Sequence, residues 1–207
     1  MRAGLRALGR LGRAPLVYAK LAFWGLAAPR VVERAPLVVV QGVVRSEGGE
    51  ILLAVRSDLQ GWELPGGTPA RGEALEAALC RELEEETGLR VTILRVVGDY
   101  IRTGFRPHTA RVYVCQVAGG RLRSSPETLT LGWFDPAALP DTLFPWYRAP
   151  IADALGVPGT PVRRYEHQGL SSILSGMRID LKTRARGIPG ELRRLRRRED
   201  GEGAEED

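Results

Sequence analysis

The chain has 207 residues and a formal net charge of +5. This length suits one full domain with extensions and leaves little room for two. The positive charge belongs to the ends, because residues 1–34 carry +6 and 178–198 carry +7, whereas 35–177 carry −2 and 199–207 carry −6. The high pI therefore does not indicate a nucleic-acid-binding core. Cys80 and Cys115 form neither a disulfide framework nor a zinc-binding pattern, which favours a reducing, intracellular location.

The N-terminal segment combines basic and apolar residues. Arg and Leu alternate at near-helical spacing over 2–13, and residues 16–28 are apolar except for Lys20. This apolar run is too short to cross a membrane, and Lys20 within it argues against a signal peptide. Two interpretations stay open for residues 1–34, namely a helix at a membrane interface and a helix packed on the domain.

Residues 35–158 have the pattern of a compact α/β domain. The apolar run 37–44, a turn and the second run 51–55 predict two strands in a hairpin. The stretch GWELPGG (61–67) is typical of a loop, and a helix is predicted over 74–87 with Gly88 as its stop. The remaining predicted elements are strands over 91–101, 110–117 and 128–134, and short helices within 135–140 and 147–155.

The pattern changes beyond residue 158. Apolar residues recur at i, i+3, i+4, i+7 and i+11, which predicts an amphipathic helix within a C-terminal extension over 159–190. These residues are Leu170, Ile173, Leu174, Met177 and Leu181. Residues 191–207 are a basic block followed by an acidic one, which is the composition of a disordered tail.

The helix predicted over 74–87 carries an unusual cluster of acid. Glu82, Glu85 and Glu86 continue the apolar stripe of its first turns on a helical wheel, whereas Glu84 points to solvent. Carboxylates on such a face are costly unless they are protonated, paired with basic side chains or bound to cations. Three hard oxygen donors within one turn suit Mg²⁺ or Mn²⁺, which also bind water and substrate phosphate.

A longer signature surrounds this cluster. From Gly67 to Leu89 the sequence reads GTPARGEALEAALCRELEEETGL, which agrees at every fixed position with G-x5-E-x7-R-E-U-x-E-E-x-G-U, where U is a bulky apolar residue. The flanking stretches WELPGG and GWFDPAALP fit the same pattern. Over roughly residues 36–155 the chain resembles the Nudix hydrolase family.

The resemblance implies a fold and an activity. The expected fold is an α/β/α sandwich around a mixed β-sheet, here with helical N- and C-terminal extensions. The expected activity is metal-dependent hydrolysis of a phosphoanhydride bond in a nucleoside diphosphate linked to another group (NDP-X). Two alternatives stay open: a non-catalytic nucleotide-binding regulatory module, and a membrane-tethered housekeeping pyrophosphatase.

The same resemblance assigns expected roles to the acidic cluster. Glu82, Glu85 and Glu86 would bind Mg²⁺ or Mn²⁺, and Arg81 and Glu73 would hold these ligands in place. The base that accepts the proton of the attacking water varies in the family between a signature glutamate and an acid on a later loop. We therefore expect it among Glu82, Glu85 and Glu127, although Glu127 also fits an ordinary exposed loop residue.

Further residues are expected to contact the substrate. Gly66 and Gly67 would bring backbone close to the phosphates, and Arg56 would bind them unless it is a surface residue at a strand end. Four basic residues, Arg102, Arg106, His108 and Arg111, would surround a loop at the rim of the site. Trp62 and Trp133 are expected to pack in the core.

Substrate, location and assembly are less constrained by the sequence. Nucleoside triphosphates, including oxidised ones, and nucleotide sugars stay open, whereas Phe105 stands where ADP-ribose hydrolases tend to have proline. We expect a cytoplasmic protein whose partner is a small nucleotide substrate and no specific nucleic acid. Peripheral contact with the inner membrane surface through the basic ends, and a homodimer, are left open.

Overall fold

The computed structural model describes residues 11–12, 14–22 and 37–187. Predictions for 1–10, 23–36 and 188–207, including the disordered tail, lie outside the described residues. The α-helices are α1 (Ala14–Ala22), α2 (Leu75–Thr87), α3 (Arg148–Leu155) and α4 (Leu170–Arg186). The strands are β1 (Leu37–Arg45), β2 (Ile51–Arg56), β3 (Trp62–Glu63), β4 (Gly66–Gly67), β5 (Leu89–Gly104), β6 (His108–Gly120), β7 (Thr128–Phe134) and β8 (Val162–Gln168).

The strands form one mixed sheet of eight. Its main order is β3-β2-β1-β6-β5-β8, with β4 paired to β1 and β7 to β2. The β1–β6 and β5–β8 pairs are parallel and the other pairs antiparallel. The predicted hairpin of β1 and β2 is present, but β1 pairs along its whole length with β6, a contact between residues far apart in the sequence.

Side chains that point alternately to the two sides of the central strands form a core on each face of the sheet. In β1, Val40 and Val44 pack with Leu79 of α2, whereas Val43 packs in a second cluster with Ile151 of α3. Successive strand residues point to opposite faces, so β1 supplies both cores. The expected α/β/α sandwich around a mixed sheet is confirmed.

Strand β8 was not predicted from the sequence. It lies at the edge of the sheet, paired in parallel with residues 98–104 of β5. Its sequence VRRYEHQ has no apolar alternation, and none of its residues is fully buried. Because β8 falls within 159–190, part of the predicted extension belongs to the same sheet as the domain.

The predicted C-terminal helix exists as α4, but its buried face is not its leucine stripe. The residues buried on α4 are Gly176, Asp180, Thr183 and Arg184. Leu170 is 71% exposed and Leu174 is 56% exposed, so the outer face of the helix is apolar. Among the residues that the structure describes, no helix is both long and apolar enough to span a membrane.

Candidate active site

The signature residues run from the end of β4 through the loop at 68–74 and α2 to the start of β5. Gly88 ends α2 in the left-handed conformation (φ 72°), as its position in the signature predicts. The Gly66 N–H donates to Glu86 Oε2 at 3.0 Å, and a Cβ at Gly67 would lie 2.3–2.6 Å from the Glu82 carboxylate. The glycines thus let the loop backbone touch two of the predicted metal ligands directly.

Arg81 is the centre of a charged network on the surface of α2. Its guanidinium donates two hydrogen bonds to the Glu73 carboxylate (2.9 and 2.8 Å), one to Glu82 (3.0 Å) and one to Glu85 (3.3 Å). These bonds from Arg81 lower the pKa of Glu73 to about 2. The expected association of Arg81 and Glu73 with the carboxylate cluster therefore matches the geometry, and their catalytic roles remain predictions.

Arg56 projects from the end of β2 into the site. Its guanidinium lies 3.1 Å from Asp58, 3.8 Å from Glu63 and 4.0 Å from Glu86. It lines the same cavity as Glu82, Glu85 and Glu86. This placement fits a phosphate-binding role better than that of a surface residue at a strand end.

Two buried carboxyl groups flank Arg56 and have raised pKa values. Burial raises the pKa of Glu86 to about 7. The Gly66 N–H and the Arg56 charge oppose this rise, whereas the charges of Glu82 and Glu127 add to it. Burial raises the pKa of Glu63 to about 8, with a contribution from Glu86. The pKa of both groups is therefore raised mainly because the carboxylates are removed from water, and the Arg56 charge opposes the rise in each case.

Glu127 approaches the cluster from the loop before β7. It lines the cavity, and its charge acts on Glu86, although it is far from α2 in the sequence. The backbone N–H of Ser57 donates to the Glu127 carbonyl at 2.8 Å, which ties this loop to the end of β2. The structure thus brings the predicted later acid together with the signature carboxylates.

The carboxylates do not form a preformed metal-binding site. Over residues 11–12, 14–22 and 37–187, no three His, Cys, Asp or Glu side chains are arranged to hold a metal ion. Glu85 is 61% exposed, and both Glu82 and Glu85 are bound to Arg81. The donor set nevertheless fits Mg²⁺ or Mn²⁺ in its chemistry, because Glu82, Glu85 and Glu86 offer carboxylate oxygens along one cavity.

These residues line a cavity of about 1130 Å³. That volume lies slightly above the range of about 300–1,000 Å³ that is typical of small-molecule sites. Besides the carboxylates, the wall includes Phe105, Trp146 and Tyr147, together with residues of α1 and α4. One cavity therefore joins the acidic cluster to aromatic and apolar surface, as a substrate with phosphates and a ring system would require.

A second polar group in the cavity centres on Arg102, which is only 2% exposed. Its guanidinium donates to Glu166 (3.1 Å), to the Trp146 carbonyl (2.9 Å) and to His108 Nε2 (3.3 Å). Burial lowers the pKa of His108 to about 4, and the Arg102 and Arg106 charges lower it further. Arg111, grouped with these residues from the sequence, does not line the cavity and pairs with Asp99 at 2.7 Å.

Sequence reasoning missed several polar residues of the site, among them Glu63, Tyr147 and Gln41. Glu63 accepts a hydrogen bond from Tyr147 (3.2 Å), and Tyr147 accepts one from Gln41 (3.2 Å). Their only local signal is the position of Glu63 directly before the LPGG stretch. Trp62 and Trp133 pack in the two cores as expected, Trp62 being fully buried.

A mixed sheet between helices, with a glycine loop and an acidic helix at one large cavity, defines a class of phosphoanhydride hydrolases. The model of the NUDIX domain matches residues 35–154. A MutT-like protein of Streptomyces ambofaciens is 35% identical over 70% of this chain and 95% of its own length. The chain belongs to the Nudix family and is a pyrophosphohydrolase.

Two further proteins are similar to this chain. A Bacillus subtilis protein named "Putative 8-oxo-dGTP diphosphatase" is 33% identical over 54% of this chain and 74% of its own length. The crystal structure of a MutT Nudix hydrolase from Burkholderia pseudomallei superposes with a TM-score of 0.53 at 27% identity. That superposition covers 58% of this chain and 98% of the other.

Proposed function

We propose that the protein hydrolyses a phosphoanhydride bond of an NDP-X substrate with Mg²⁺ or Mn²⁺ held by Glu82, Glu85 and Glu86. The observation that carries this proposal is the position of Glu86. It is buried, accepts the Gly66 N–H at 3.0 Å and lines the same cavity as Glu82, Glu85 and Arg56. A divalent cation would give these three carboxylates a common charged partner beside the glycine loop.

The side chains and the glycine loop have separate roles in the proposed reaction. When bound, the cation neutralises the diphosphate and lowers the pKa of a water molecule. Arg56 binds the phosphates, and the loop at Gly66 and Gly67 keeps Glu86 and Glu82 in position. Glu127, an exposed carboxylate that lines the same cavity as Glu86, is our choice for the base that accepts the proton of the attacking water.

The direct test is a hydrolysis screen of wild-type protein with Mg²⁺, Mn²⁺ or EDTA. Its panel should contain 8-oxo-dGTP, unmodified nucleoside triphosphates, ADP-ribose and nucleotide sugars. The similarity to the Bacillus subtilis protein is a reason to test oxidised triphosphates first. Activity that survives EDTA would overturn the metal assignment, and no hydrolysis of any of these nucleotides would overturn the proposed substrate class.

Substitution of the ligands tests the residue assignment. Glu86→Gln and Glu82→Gln should each lower kcat by more than about a hundredfold, because even the partners that orient metal ligands are worth about 10–100-fold. Glu84→Gln is the matched control, since Glu84 lies on the same helix and faces solvent. Near-wild-type activity of Glu86→Gln would remove Glu86 from the metal site.

We further propose a cytoplasmic protein whose outer α4 face contacts anionic membrane surface. The support is the exposure of Leu170 and Leu174 on the same face as the exposed Arg178. A homodimer stays a prediction, and size-exclusion chromatography with light scattering would decide it.

A further inference from the structure

Two helices outside the matched domain form part of the cavity wall. The family match ends at residue 154 and begins at residue 35, so α1 and α4 lie beyond it on either side. Yet Tyr18 and Ala22 of α1 line the cavity, as do Ile173, Gly176 and Met177 of α4. These helices therefore shape the cavity with residues that the domain itself does not supply.

A buried polar cluster fixes α4 at one position. Asp180 is fully buried and accepts hydrogen bonds from Tyr18 Oη (2.6 Å), the Gln60 backbone N–H (2.6 Å) and Arg184 (2.8 and 2.9 Å). Arg184 also donates to the Asp58 carbonyl at 2.6 Å. Directional bonds of this kind set the register and rotation of α4, which apolar contacts alone would leave loose.

The same rotation brings α4 against an aromatic pair. The rings of Phe144 and Trp146 stack with centroids 4.8 Å apart, and Trp146 lines the cavity. A Cβ on Gly176 would lie 3.2 Å from the Trp146 ring, and one on Gly61 would lie 2.5–2.8 Å from Phe144 and Ile179. Glycine at these two positions allows the close approach of helix, loop and rings.

Ile173 and Met177 face the cavity one helical turn apart. They are partly buried, whereas Leu174 beside them is exposed. Together with Trp146 they give the cavity an apolar surface distinct from its carboxylates and arginines. A flat ring system buries well against an indole, a methionine thioether and an aliphatic side chain.

We propose that α4 is a specificity element whose Ile173 and Met177, with Trp146, bind the nucleobase of the substrate. This inference rests on the proposed function, because it assigns the phosphates of the same nucleotide to the carboxylate cluster. The nucleobase lies against a helix that the domain does not contain. Base preference is then set by the C-terminal segment of this chain.

The test is calorimetric binding of α,β-methylene ATP and α,β-methylene UTP to the full-length protein in Mg²⁺. Met177→Ala and Ile173→Ala should each raise the Kd of the tighter analogue about tenfold and change the ratio of the two Kd values. Leu174→Ala on the exposed side of α4 is the matched control and should leave both values within about twofold. Met177→Leu, which preserves volume, should bind like wild type.

Each outcome is decisive. Equal effects of Met177→Ala and Leu174→Ala on the two Kd values would reduce α4 to a structural support. Wild-type protein that binds neither analogue would also overturn the inference. The hydrolysis screen judges the proposed function separately, because binding without hydrolysis would reject the activity and leave the nucleobase site standing.

Discussion

The two sides of the cavity are built by different means. On the carboxylate side, Glu73, Arg81, Glu82 and Glu85 are held by contacts within eight residues of one another. On the α4 side, Asp180 bonds to Tyr18 and Gln60, which are 162 and 120 positions away. The acidic cluster of the signature is local in sequence, whereas the α4 wall depends on distant contacts. The first can be read from a motif and the second cannot.

Removal of Asp180 should have the largest effect on stability. Asp180→Ala deprives the buried Arg184 of its carboxylate, and loss of one partner of a buried pair costs about 3–5 kcal/mol. Urea unfolding measures the change. The matched control is Asp141→Ala in the loop before α3, whose exposed carboxylate pairs with Lys182 and Arg186 of α4, with an expected cost below about 1 kcal/mol. Equal costs would mean that the buried cluster does not hold α4.

On the carboxylate side, Gly67→Ala should impair catalysis more than folding. The new Cβ would lie 2.3–2.6 Å from the Glu82 carboxylate, which must therefore move. A displacement of about 1 Å at a reacting centre costs on the order of 10²-fold in kcat. Steady-state kinetics and thermal unfolding should be measured together. Gly159→Ala, with no atom closer than 3.9 Å, is the control. Unchanged kcat would show that the loop does not position Glu82.

Much of the carboxylate side could be predicted because its determinants are close in sequence. The spacing of Glu82, Glu85 and Glu86 gave the acidic face, and Gly88 gave the end of α2. The spacing did not reveal that Glu86 is buried while Glu85 is exposed, since this depends on how the β3–β4 loop covers the helix. For the same reason, Glu63 was not predicted as a site residue, because only the fold places it beside Tyr147.

The other side could be predicted only in outline. Helical periodicity located α4 and its apolar stripe, but it could not show that the buried face of the helix includes Gly176 and Asp180 and not the leucines. Strand β8 was missed since an edge strand with polar residues on both faces shows no alternation. In both cases the contacts that fix the element are with residues far away in the sequence, so no local pattern predicts them.

Between the two sides, His108 should make stability depend on pH. Its Nδ1 lies 2.7 Å from the Arg106 carbonyl and must donate, so its Nε2 accepts from Arg102 and the ring is neutral. The folded pKa of about 4 is below the ordinary 6.5, so the unfolded chain binds more protons between these values. The contribution of His108 to the free energy of unfolding, on the order of 2–3 kcal/mol, is fully present above pH 6.5 and is lost as the pH falls toward 4.

The comparison that isolates this effect uses His108→Asn. The difference in unfolding free energy between wild type and variant should shrink as the pH is lowered from 7 to 4, because the wild-type protein alone must protonate a buried imidazole. Urea titrations at several pH values measure it. A difference that stays constant over this range would mean that His108 is not held neutral by its surroundings.

The smallest expected effect concerns the outer face of α4, whose exposed leucines do not line the cavity. Leu170, Leu174 and the basic Arg178 are exposed there, and a basic residue near an anionic leaflet contributes only about 1 kcal/mol. We expect full-length protein to co-sediment with phosphatidylserine vesicles at low salt and to dissociate at high salt.

Leu170→Gln with Leu174→Gln should weaken this binding severalfold while the nucleotide Kd stays unchanged, because neither side chain lines the cavity. Truncation after residue 160 is a poorer test, since it would remove β8 from the sheet. Binding that is absent at low salt, or that the double variant retains in full, would leave the leucine face without a membrane role.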